Sequence, residues 1–95
     1  MKQPFVIYYR PGPAWIEGKS VFEQPLQAHL AYMRSLTAAG TLRIGGPFTD
    51  DCGGLIVVDA ASGEEAQAIF EADPAVRDRI MVAQAHPWKL MAGAL

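Results

Sequence analysis

Cysteine is nearly missing from this chain, and so is any surplus of positive charge. Cys52 is the one thiol in 95 residues, so no disulfide can close within the chain, and no Cys/His cluster offers a structural zinc site. Ten Asp and Glu outnumber eight scattered Lys and Arg, for a net charge of −2. Nucleic-acid binding needs a basic stripe, so no nucleic-acid partner is expected. Long apolar runs are lacking as well: nothing approaches the roughly 20 residues of a membrane span, and "MKQPFVIYYR" reaches Arg10 too soon for a signal peptide. A cytoplasmic protein with no membrane partner is the expectation. Asp50, Asp51 and Cys52 stand together but without a histidine, a poor metal set, and no metal or other cofactor is expected.

What the chain does have is apolar mass. Apolar residues make up 51% and charged ones 19%, enough for one domain over residues 1–95. "FVIYY" (5–9) reads as a strand that stops at "RPGP". A long loop follows to Ser20 and carries Trp15; loops of that length often line a site. "SVFE" (20–23) has capping-box form, but a helix starting there would hold Pro25 in its interior, so Pro25 at the first helical position is preferred. That helix runs to about Ala39, with Gly40 as its left-handed stop. "TLRIGGPF" and "GLIVVD" read as strands joined by the turn "TDDCG". "SGEE" (62–65) opens a second helix that must end near Asp73, because Pro74 follows; "DPAVRDR" makes one further turn and "IMVAQAHPW" a closing strand. The β-α-β-β-α-β order is that of an α+β, ferredoxin-like fold with a four-stranded antiparallel sheet and both helices on one face.

Strands one and three are apolar on both faces: Phe5, Ile7 and Tyr9 against Val6 and Tyr8, and Leu55 and Val57 against Ile56 and Val58. Helices cover one face only, so the other is expected to pair with a second copy, sheet to sheet.

One histidine stands out. At 100° per residue Phe22, Leu26, His29, Leu30, Met33 and Leu36 share a stripe, opposite Glu23, Gln24, Gln27, Arg34 and Ser35. An unpartnered imidazole in that stripe costs about 1–3 kcal/mol. A backbone carbonyl or a buried water can offset that; so can Asp73, although "DPAV" explains the aspartate equally well as a helix cap. Further candidates are Arg10, which ends strand one and suits an anionic group; Tyr9 and Trp15 as pocket-lining aromatics; and Gly46 and Pro47 of "GGP", where backbone can approach a ligand. His86 and Trp88 read as packing residues.

These segments, from "FVIYY" through "HLAYMRSLTAAGTLRIGGPF" and "GGLIVVDAASGEEAQAIFEADPAV" to "HPW", resemble the YCII-related (YciI-like) family over nearly the whole chain; "RPGPAWIEGKS" resembles one of its branches. The resemblance implies a ferredoxin-like fold paired into a dimeric α+β barrel, and a histidine–aspartate site falling on His29 and Asp73. Relatives of the fold include muconolactone isomerase-like and dehydrochlorinase enzymes. A carboxylate that fixes one imidazole nitrogen frees the other to move protons. The expected function is therefore small-molecule enzymology of lyase or isomerase type, with His29 and Asp73 as general acid/base and no cofactor. The alternatives are a small-ligand binding or assembly module with a structural histidine, and a cofactor-free or haem-related monooxygenase on the same fold.

Overall fold

In β1 (Gln3–Pro11), side chains alternate between two surroundings: Phe5, Ile7 and Tyr9 are buried, while Val6 and Tyr8 between them are half-buried on the opposite face. The computed structural model describes residues 1–94. A 3-10 turn (Val21–Glu23) precedes α1 (Gln27–Ala38); β2 (Leu42–Pro47) and β3 (Gly54–Ala60) follow, then α2 (Gly63–Glu71), the short α3 (Pro74–Arg77) and β4 (Met81–Pro87). The strand order is β2-β3-β1-β4 and every pair is antiparallel. This is the ferredoxin-like α+β fold.

Register fixes which residues meet. Ile7 stands opposite Ile56 and Ala85, and Tyr9 opposite Gly54 and Ala83, so the face carrying Phe5, Ile7, Tyr9, Ile56 and Val58 becomes the core beneath the helices. Fully burying each large side chain there contributes about 1.5–3 kcal/mol. The other face presents Val6, Tyr8, Leu55, Val57 and Ile44 without a helix over them.

Helix ends follow their local chemistry. The Ser62 hydroxyl accepts from Glu65 N–H at 3.1 Å and starts α2, and Gly40, at φ 77°, turns the chain after α1. The start of α1 is a correction. Pro25 does not open the helix; Gln24 before it is extended (φ −74°, ψ 152°), as a residue preceding proline prefers, and α1 begins at Gln27. Ser20 and Glu23 form their box inside the 3-10 turn, where the Glu23 carboxylate accepts from Ser20 N–H at 3.0 Å. Phe22 consequently leaves the helical stripe and is 79% exposed.

α2 packs on β1, β3 and β4, while α1 lies over β2 and against α3. No residue of α1 is fully buried. Its apolar side instead roofs a cavity of about 750 Å³.

Candidate active site

Pro74 cannot continue α2, so the chain breaks at Asp73 and restarts as α3 with Asp73 as its cap. The Asp73 carboxylate accepts from Ala75 N–H through Oδ1 at 2.9 Å. The break also carries the side chain beneath α1, where it is wholly buried. His29 Nδ1 lies 3.0 Å from Oδ1 and 2.8 Å from Oδ2, and Tyr9, reaching up from β1, donates its hydroxyl to Oδ2 at 3.0 Å. Helix cap and imidazole partner are thus one residue.

The proton positions follow from this arrangement. An ionised carboxylate only accepts, and the other groups on Asp73 are the donors of Tyr9 and Ala75, so His29 Nδ1 carries the hydrogen. Neutral His29 is then the Nδ1–H tautomer, and Nε2 is left without a partner among the described residues on a side chain that lines the cavity. Burial, reinforced by the Asp73 charge, holds the Tyr9 phenol well above its ordinary range. Tyr32, whose hydroxyl donates to Ile69 C=O at 2.7 Å, is raised by burial and by the same charge. Among the described residues every buried side-chain polar atom has a hydrogen-bond partner.

The cavity is walled by Leu26, Leu30, Met33, Leu42 and Ile56, with His29 and Tyr9 in its lining. Gly46 and Pro47 also line it, beside Gly53 and Gly54. Gly53 permits the closest backbone approach. Its φ is 124°, and a Cβ there would stand 1.9 Å from Tyr9 C=O, so the β2–β3 turn can press on the end of β1 only with glycine.

Arg10 and Trp15 are not part of this lining. Strand alternation sends Arg10 to the far side with Tyr8, its guanidinium 6.0 Å from that ring, and Trp15 packs on the hydrophobic core. Conversely, Gln24 and Arg34 line the cavity although the helical wheel assigns both to the polar side. Gln24 escapes the wheel because it precedes the helix: it is buried, accepts from Ile16 N–H at 2.8 Å and donates to Ile16 C=O at 2.9 Å, tying the long loop to the cavity wall. Arg34 sits one turn beyond Leu30 and is the lining's one permanently charged side chain among the described residues. No group of three His, Cys, Asp or Glu that could hold a metal ion occurs among the described residues.

Three likenesses bear on this geometry. Uncharacterized protein YjpA of Bacillus subtilis (strain 168) is 35% identical over 68 residues, 72% of this chain and 80% of that protein. The 5-chloro-2-hydroxyhydroquinone dehydrochlorinase TftG of Burkholderia phenoliruptrix AC1100, solved in complex with 2,5-dihydroxybenzoquinone, superposes with a TM-score of 0.71 at 26% identity, over 92% of this chain and 94% of that one. The family model of the YCII-related domain matches residues 1–89. On the sequence match and the fold together, the chain belongs to the YCII-related domain family.

Proposed function

We propose that the chain is a small-molecule enzyme of lyase or isomerase type, with His29 as general base and acid and Asp73 as the carboxylate that orients it. The observation carrying this reading is the buried Asp73 on Nδ1, with the opposite ring nitrogen left without a partner among the described residues on a side chain that lines a cavity of about 750 Å³. Nε2 takes a proton from a carbon next to a carbonyl, or from a hydroxyl, as a leaving group departs, and returns it later. The chemistry calls on no cofactor. The mostly apolar wall suits a compact ring-shaped organic molecule, and Arg34 suits one bearing an anionic oxygen. That the neighbour TftG is a dehydrochlorinase crystallised with a dihydroxyquinone supports this substrate class.

The test is a screen of chlorinated hydroxyhydroquinones and unsaturated lactones against the unaltered chain and His29→Ala. Acid–base assistance is worth about 10²–10⁴ in rate, so the variant should retain 1% or less of any turnover found while keeping its thermal transition. Ligands that bind in the cavity with no turnover, unaffected by His29→Ala, would favour a binding module instead.

A further inference from the structure

Tyr9 does not use its hydroxyl to meet a ligand. Its ring borders the cavity, but the O–H is spent on Asp73 Oδ2, the same oxygen that lies 2.8 Å from His29 Nδ1. Two donors therefore converge on one carboxylate oxygen, and the Tyr9 ring also stands edge-on to the imidazole, with centroids 5.7 Å apart and planes at 77°. We propose that Tyr9 is the residue that sets how strongly His29 holds a proton, by competing with the imidazole for Asp73. This deepens the acid–base reading and rests on it.

A donor on a carboxylate stabilises its negative charge and weakens its pull on any other cation or donor. With Tyr9 in place, part of the Asp73 charge is committed to the phenol, part to Ala75 N–H through Oδ1, and only the remainder to His29. An imidazolium stabilised by an undivided, fully buried carboxylate would be slow to surrender its proton and would rarely stand ready as a base. Tyr9 dilutes that stabilisation. It also braces the carboxylate plane: Oδ1 is tethered from α3 and Oδ2 from β1, so the acceptor edge facing His29 cannot swing away.

Few other charges intrude. Asp73 is the one carboxylate in ionic contact with His29 among the described residues. From α1 itself, Tyr32 directs its hydroxyl to a backbone carbonyl, and Arg34 lines the cavity rather than pairing with Asp73. From β1 the only titratable group on the pair is Tyr9.

The experiment is an NMR titration of the His29 ring in the unaltered chain, Tyr9→Phe and Asp73→Asn. Removing the competing donor should move the protonation midpoint of His29 up by about half a unit or more in Tyr9→Phe, while Asp73→Asn moves it down. Should Tyr9→Phe fail to fold, site-specific 3-fluorotyrosine at position 9 serves: it is a more acidic phenol of nearly the same shape, a stronger donor, and should move the midpoint down. In Tyr32→Phe the midpoint should stay where it is, since that hydroxyl never touches Asp73. A midpoint that moves in Asp73→Asn but in neither Tyr9 variant overturns the role given to Tyr9 and leaves the histidine–aspartate pair standing. One that is unmoved in all three overturns the pair as well. For any turnover found, the acidic limb of the pH–rate profile should follow the same displacement, which a role in packing alone would not produce.

Discussion

Asp73 carries two duties that substitution can separate. Asparagine caps a helix about as well as aspartate, yet its amide group can face His29 with donors and so permit the other tautomer. Asp73→Asn should therefore keep α3 and lose about 1 kcal/mol or less, while ¹⁵N spectra of the ring show Nε2–H appearing and any turnover collapses. Asp73→Ala also strands the buried Tyr9 hydroxyl and His29 Nδ1, and should cost about 3 kcal/mol or more in urea unfolding. Equal losses in the two variants would mean that the charge, and not the cap, carries the stability; an Asp73→Asn that leaves the ring spectra unchanged would mean that the charge is irrelevant to His29. Tyr9 gives a pH prediction in turn. Its phenol is raised in the folded chain, so folded and unfolded states hold the proton equally below about pH 10 and the unfolded state releases it first above that. Stability should fall as pH climbs past 10, and less steeply in Tyr9→Phe; tyrosinate absorbance at a constant Tyr9 signal until unfolding is the check.

At the level of elements, β-branched, aromatic and other apolar runs bounded by glycine and proline made all four strands readable, and the serine box at 62–65 located α2. The histidine's inward aim followed from helical spacing alone. Less legible was everything set by contacts between distant segments. Whether α1 rests on the sheet or stands off it depends on what tethers its front end, and that tether is long-range: Asp51, in the β2–β3 turn at φ 65°, accepts through Oδ1 from Val21 N–H at 2.9 Å. No local pattern announces such a bond, nor the buried Gln24. Arg10 and Trp15 looked suitable by type and loop position, but a strand's two-residue alternation put one on the far face and core packing claimed the other. The Gly53 approach lends itself to test. Gly53→Ala combines a left-handed φ with a Cβ driven into Tyr9 C=O, and should destabilise by about 2–3 kcal/mol or more in urea unfolding. It should also perturb the His29 ring resonances, because Tyr9 moves with its backbone.

For the molecule as a whole, we propose that the uncovered sheet face bearing Val6, Tyr8, Ile44 and Leu55 receives a second copy, the pairing that the family resemblance implies. Of the two valines at the centre of β3, Val57 faces that side and Val58 the core. Both are already buried, so the informative substitution is Ile44→Lys, at a site 53% exposed in the single chain. Sedimentation at micromolar concentration should give about twice the chain mass for the unaltered protein and a folded monomer for the variant; a monomer from the start would refute the pairing. The order β2-β3-β1-β4 has a further, kinetic consequence. β1 sits in the middle of the sheet, yet its partners β3 and β4 lie some 50 to 80 residues away along the chain. Closing such distant pairs is slow, and Tyr9 cannot meet Asp73 until β1 and the α2–α3 corner are both in place. Partly folded chains therefore lack the carboxylate cradle altogether, so the arrangement that would make the histidine reactive arises only together with the finished fold.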